Sequence, residues 1–173
     1  NSTDAVPAPK ANLVFQALWN NTTDQLLTPA DLNTLFIVPY SSNGARIHTN
    51  SWGSAVDGVY TSSARDVDEF TWDHPDMLIL YSAGNDGADV NTDGVVDLDS
   101  IGSPGTAKNA LTVGASENNR PSLTTTYGAF SAFVSAPEPL FSDLYADDIN
   151  GMAAFSSRGY TDDGRVKPDI VAP

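Results

Sequence analysis

Strand-like and helix-like segments alternate along the chain, and this order restricts the possible folds more than any other feature of the sequence. Three runs of strand length, residues 12–19 (NLVFQALW), the alternating segment 45–52 (ARIHTNSW) and residues 77–83 (MLILYSA), are separated by two segments with helical spacing. The first and third runs are apolar at nearly every position, which is typical of strands buried on both faces of a parallel sheet. The alternation predicts βαβ units in an α/β fold with a mainly parallel sheet, and residues 110–113 predict one more strand.

The two helical segments carry recognisable start and stop signals. Thr28 as N-cap and Pro29 at the first helical position predict a helix from about 29 to 41, which Gly44 follows as a terminator. Ser62 or Ser63 is the expected cap of the second helix, which is predicted to stop near His74.

Composition excludes several classes of function. The net charge of −14 opposes binding to a phosphate backbone, so a nucleic-acid partner is not expected. The chain has no apolar run near the roughly 20 residues needed to cross a bilayer, and no membrane partner is expected either. Disulfides and thiolate chemistry are impossible because there is no cysteine. The 173 residues suit one domain. The excess of acids suits a secreted, calcium-associated or salt-adapted protein, and simple solubility is an equal alternative.

In parallel sheets, binding sites collect at the carboxyl ends of the strands. Two such ends are Ser51-Trp52-Gly53 after one strand and Ser82 to Asn85 after the next. Four motifs follow one another along the chain. They are Asn50-Ser51-Trp52-Gly53, residues 82–87 (SAGNDG), Gly102-Ser103-Pro104 running on to residues 111–115 (LTVGA), and residues 155–159 (FSSRG) with 167–173 (KPDIVAP).

Together these motifs resemble the subtilisin-like serine proteases (subtilases). The resemblance implies a three-layer αβα fold and a serine endopeptidase that hydrolyses peptide bonds of polypeptide substrates through an acyl-enzyme. It implies that Asn85 donates a hydrogen bond to the oxyanion, the catalytic role expected of a neutral amide at this point. The implied substrate-binding residues are Ser51, Trp52, Gly53, Tyr81, Ser82, Ala83, Gly84 and Gly102. It also implies that the Ser103-Pro104 peptide bond can be cis.

Serine hydrolysis requires a general base beside the nucleophile and a carboxylate that orients the base. His48 and His74 do not stand in the family's His-Gly-Thr-His context, so both are interpreted as structural. The chain begins at Asn1 without an initiator Met, and the family's Asp-Thr-Gly and Gly-Thr-Ser-Met-like segments are missing. We therefore expect residues 1–173 to be one partial peptidase domain, inactive alone, whose partners are the remaining parts of the parent protease domain.

An acidic loop at residues 89–100 suggests a metal site. Oxygen-bearing side chains at loop positions 1, 3 and 5 and a glycine at position 6 match the start of a calcium loop. Ser100 stands where a bidentate Glu is usual, so the match is partial and a plain acidic turn stays an alternative. The candidate Ca²⁺ ligands are Asp89, Asn91, Asp93, the Val95 carbonyl, Asp97 and Asp99.

A second class of function stays open at this stage. The chain could be a non-catalytic module, either a degenerate protease fold or a calcium-dependent binding domain organised by the acidic loop. Residues 119–151, rich in Ser, Thr, Ala and Pro, are predicted to be an irregular loop excursion within the single domain.

Overall fold

A computed structural model describes residues 8–173. The N-terminal residues Asn1-Ser2-Thr3, which lack an initiator Met, lie outside the described residues. In that described part the strands are β1 (Trp19–Asn20), β2 (Gln25–Leu26), β3 (Ile47–Asn50), β4 (Leu78–Ser82), β5 (Leu111–Ala115), β6 (Gly159–Tyr160), β7 (Val166–Lys167) and β8 (Ile170–Ala172), and the α-helices are α1 (Asn33–Asn43) and α2 (Ser62–Asp73).

The central element is a four-stranded parallel sheet in the order β3, β4, β5, β8. Asn50 lies opposite Tyr81, and Ser82 lies opposite Val113, so the register runs without interruption from β3 to β5. Because the neighbouring strands are parallel and each pair is joined by a crossover, the chain is an α/β protein, as the alternating pattern predicts.

The helices and the sheet share one buried cluster. Leu35 and Phe36 of α1, Val67 and Phe70 of α2, and Ile79 of β4 are all nearly inaccessible to solvent. Both helices therefore lie over the same face of the sheet and form one helical layer of the expected architecture. With 11 and 12 residues they are short, and no helix in residues 8–173 is long and apolar enough to span a bilayer.

The start of α1 differs from the prediction. The helix begins at Asn33 and not near Pro29, its N-cap position is Leu32, and Thr28 does not cap it. The Asp31 carboxylate instead accepts a hydrogen bond from the Asn33 amide (2.9 Å), and Asp66 of α2 accepts one from the Leu32 amide (3.2 Å). A contact from the other helix therefore decides where α1 begins. Gly44 does end the helix, in the left-handed conformation (φ 69°).

The predicted strand at residues 12–19 is wrong for all but its last residue. Only Trp19 enters a ladder, in β1, which pairs with β2 in a separate antiparallel hairpin. Leu13 and Phe15 are 92% and 90% exposed. The run has strand-like composition, but an apolar run becomes a strand only where another strand offers it main-chain hydrogen bonds.

Residues 119–151 contain turns, isolated bridges and one 3₁₀ turn at Tyr127–Ala129. Five side chains from this segment and its surroundings build a second, smaller apolar cluster: Val96, Tyr127, Phe133, Leu140 and Ala154. The Tyr127 hydroxyl donates to Glu117 (2.7 Å) and accepts from the Ala154 amide (3.0 Å). The excursion is thereby tied to the end of β5 and to the segment that precedes β6.

Candidate active site

Strands β3 and β4 end beside each other at the same edge of the sheet. Asn50 closes β3 opposite Tyr81, and β4 ends one residue later at Ser82, so the segments that begin at Ser51 and Ala83 leave the sheet side by side. The buried Asn50 side chain donates a hydrogen bond to the Leu80 carbonyl (3.1 Å) and fixes this end of β3 on β4. The two strand ends selected from the sequence therefore meet.

Asn85 follows the carboxyl end of β4 with an exposed side chain. The preceding residue, Gly84, has φ 115°, a conformation that residues with a side chain rarely adopt. The glycine at this position therefore lets the chain turn out of the sheet and present residue 85 at the surface.

A third segment completes this edge. The amide of Ser54 donates to the Ser103 carbonyl (2.9 Å), and the Ser103 amide donates to the Ser54 carbonyl (3.0 Å). The Gly102 amide donates to the Ala83 carbonyl (2.9 Å), so residues from three distant parts of the sequence form one surface. The Ser103-Pro104 bond is cis, as the resemblance implies.

The predicted substrate residue Tyr81 is buried, as are Ala83 and Gly102. Its side chain is 1% exposed, belongs to the core beneath the helices, and lies edge-on to Trp52 with ring centroids 5.3 Å apart. Burial raises the pKa of the Tyr81 hydroxyl, which has no hydrogen-bond partner among residues 8–173. Tyr81 therefore supports Trp52 from below, and its side chain does not reach the surface.

Ser157 is a residue of this site that the sequence did not single out. Its amide donates to the Gly84 carbonyl (3.0 Å), and its hydroxyl accepts from the Asp86 amide (3.0 Å). The FSSRG motif contributed to the family resemblance, but no local signal indicates that residue 157 lies beside residues 84–86.

Both histidines have hydrogen-bond partners. The Nε2 atom of His48 lies 2.9 Å from Oε1 of Gln16, and burial lowers the His48 pKa. The Nδ1 atom of His74 lies 2.9 Å from the Phe70 carbonyl, and the two rings are stacked at 4.1 Å.

The acidic loop directly follows the Asn85 turn. Gly94, at loop position 6, has φ 87°. The Asp89 carboxylate accepts from the amides of Asp93 (3.0 Å) and Gly94 (2.9 Å), and Asp97 accepts from the Val90 amide (2.7 Å). Within residues 8–173, no three His, Cys, Asp or Glu side chains converge closely enough to hold a metal ion. The turn geometry fits a calcium loop, whereas the carboxylates point to loop amides.

Comparison with known proteins assigns the chain to a protein family. The subtilase family model matches residues 7–173. The chain belongs to the subtilase family. This membership agrees with the parallel sheet and with the order of the four motifs along the chain.

Relatives of this subtilase chain are themselves described as proteases. It is 29% identical to the serine protease/ABC transporter B family protein tagD of Dictyostelium discoideum, over 96% of the chain and 11% of the relative. It is 30% identical to pyrolysin of Pyrococcus furiosus, over 77% of the chain and 9% of the relative. The chain thus spans about a tenth of the length of these relatives. A solved structure described as the S41 psychrophilic protease matches 87% of the subtilase chain and 40% of its own length, at 22% identity and a TM-score of 0.44.

Proposed function

We propose that the parent protein is a subtilisin-like serine endopeptidase and that Asn85 stabilises the oxyanion of its acyl-transfer reaction. One observation carries the proposal: the exposed Asn85 side chain follows β4 at the sheet edge where β3 also ends. Family membership supports the reaction class.

A neutral amide at position 85 suits the acyl-transfer reaction. Negative charge develops on the carbonyl oxygen when a nucleophile attacks a peptide bond, and a fixed N–H donor lowers the energy of that state. An amide neither titrates nor repels the anion. The Gly84 turn and the hydrogen bonds on both sides of residue 85 hold the donor before the substrate arrives.

The neighbouring strand end would hold the substrate. Ser51 and Gly53 are exposed, and an extended peptide can add to such a strand end through main-chain hydrogen bonds. Trp52 and Gly102 would then border the side-chain pocket. The nucleophile, its base and the orienting carboxylate would come from the remaining parts of the parent protein, and residues 1–173 alone would have no turnover.

The test is direct. The purified parent protein is incubated with a polypeptide substrate and, separately, with a fluorophosphonate probe that labels activated serines. We expect peptide cleavage and covalent labelling, and prior labelling with the probe should abolish cleavage. Absence of both would contradict the proposal and favour the non-catalytic module.

We also propose that residues 89–99 bind Ca²⁺ in a secreted parent protein, because the glycine turn and the spacing of oxygen atoms suit a hard cation. The carboxylates of Asp89, Asp93 and Asp97 would have to converge on the ion, together with Asn91, Asp99 and the Val95 carbonyl. Bound calcium would stabilise the segment that connects Gly87 to Gly102.

Calorimetric titration of the parent protein with CaCl₂ tests this second proposal. We expect heat of binding and a higher melting temperature, both reduced in Asp93→Ala and retained in Asp162→Ala, which alters an exposed acid outside the loop. No heat and no change in melting temperature at millimolar calcium would refute it.

A further inference from the structure

The turn that carries Asn85 is fixed from a segment far away in the sequence. Ser157 contacts the residues on both sides of Asn85: its amide donates to the Gly84 carbonyl (3.0 Å) and its hydroxyl accepts from the Asp86 amide (3.0 Å). The Gly87 amide adds a third bond, to the Phe155 carbonyl (3.1 Å). Residues 155–157 therefore make one hydrogen bond to the residue before Asn85 and two to the residues after it.

Steric contact makes this arrangement tight. Ser157 is 0% exposed, and a Cβ atom at Gly84 would lie 2.6 Å from the Ser157 hydroxyl oxygen. Any side chain at residue 84 would therefore force Ser157 and the turn apart.

We propose that Ser157 is a positioning residue that aims the Asn85 amide at the oxyanion. This inference rests on the proposed function. The direction of an exposed side chain depends on the two peptide planes that flank it, and Ser157 binds one group on each side of residue 85. Its hydroxyl is the only part of the side chain that can hold the Asp86 amide, and a loss of this bond frees the second plane.

The size of the effect follows from the geometry that catalysis needs. Misplacement of a reacting group by about 1 Å can lower a rate by about 10²-fold. Loss of one of three bonds to the turn should displace Asn85 less, so we expect Ser157→Ala to lower kcat about 10-fold. KM should change little, because the Asn85 amide acts on the transition state more than on the bound substrate.

Ser156 provides a matched control. It is the adjacent residue, is also nearly inaccessible (1% exposed), and its hydroxyl also accepts from one backbone amide, that of Ala115 at 2.9 Å. The same hydroxyl donates a long bond (3.5 Å) to the Ser157 carbonyl, which makes no hydrogen bond to the Asn85 turn. Ser156→Ala therefore removes the same group with the same kind of hydrogen bond but leaves the Asn85 turn bonded. Loss of stability should be similar in the two variants, and loss of kcat should be confined to Ser157→Ala.

The experiment measures kcat, KM and melting temperature of the parent protein, of both serine variants, and of Ser157→Ala combined with Asn85→Ala. If Ser157 acts through Asn85, Ser157→Ala will lower kcat by less than about 2-fold once Asn85 is already absent, because residues that act as a unit are not additive.

Three results would overturn the inference: an unchanged kcat in Ser157→Ala, an equal fall in Ser156→Ala, or a full further fall in the double variant. If Ser157→Ala does not fold, Ser157→Cys, which keeps a weak acceptor in the same place, is judged by the same criteria. No turnover by the unmodified parent would overturn the proposed function and this inference with it, whereas turnover that Ser157→Ala leaves intact overturns the inference alone.

Discussion

Ser54 and Ser103 exchange two backbone hydrogen bonds, 2.9 and 3.0 Å long, across 49 positions of sequence. This pair joins the continuation of β3 to the segment after the acidic loop, and the Gly102 amide then bonds to Ala83 beyond β4. The candidate substrate edge is therefore a continuous main-chain surface, and its integrity depends on how closely these segments approach.

Gly53 lies at the closest point of this approach. A Cβ atom there would lie 2.8 Å from the Ser103 carbonyl oxygen, so Gly53→Ala must push the two segments apart. We expect a loss of about 1–3 kcal/mol in the free energy of unfolding and a raised KM for peptide substrates. Denaturant unfolding and steady-state kinetics of the parent protein measure both quantities. The neighbouring exposed change Ser51→Ala should cost under about 0.5 kcal/mol, and equal costs would contradict this explanation.

The pair of Lys167 and Asp169 should be important for attaching β8 to β5. The Lys167 ammonium, 3% exposed in its side chain, contacts the Asp169 carboxylate (2.7 Å), which also accepts from the Thr112 amide (2.7 Å). Asp169→Ala leaves a buried cation without its counterion. We expect a loss of about 3 kcal/mol, at the low end for such pairs because Asp169 is one-third exposed.

The exposed ion pair of Arg46 and Asp76 is the control for this prediction. Both side chains are about half exposed, at 45% and 57%. Arg46→Met should therefore cost less than about 1 kcal/mol in denaturant unfolding. If the surface variant proves as damaging as Asp169→Ala, burial is not what makes the Lys167 pair important.

The contribution of Tyr60 to the free energy of unfolding should depend on pH in the alkaline range. Burial, and then the hydrogen bond to Asp68 (2.7 Å), raise the pKa of Tyr60 from 10.0 to about 12. Because the folded-state pKa is the higher one, the stabilising contribution is complete below pH 10 and is lost as the pH rises toward 12. Unfolding experiments across this range should show a steeper loss in the unmodified protein than in Tyr60→Phe. Identical slopes would show that Tyr60 does not titrate differently in the folded and unfolded states.

Local sequence signals predicted the elements that pair with near neighbours in the chain. The strands β3, β4 and β5, the end of α1 at Gly44 and the end of α2 near His74 all follow from periodicity and terminators. The start of α1 did not, because Asp66, 34 positions away, fixes the Leu32 amide.

In the candidate active site, the position of the strand ends could be predicted from the sequence, but the contact made by Ser157 could not. The meeting of residues 51–53 with residues 82–85 follows from the rule that parallel strands end at one edge. The binding of the Asn85 turn by Ser157 depends on a contact across 71 positions, for which the sequence holds no local signal. The strand prediction for residues 12–18 was wrong for a related reason, because apolar composition does not specify a pairing partner.

The central claim is that Asn85 acts in the transition state, and one kinetic measurement tests it most directly. The kcat of Asn85→Ala in the parent protein is compared with that of Asn43→Ala, which truncates an exposed asparagine at the end of α1. We expect Asn85→Ala to lower kcat by about 10²- to 10³-fold, the loss known for removal of the oxyanion asparagine in subtilisin, with KM nearly unchanged. Asn43→Ala should leave kcat as it is. A kcat for Asn85→Ala equal to that of the Asn43 variant would contradict the account.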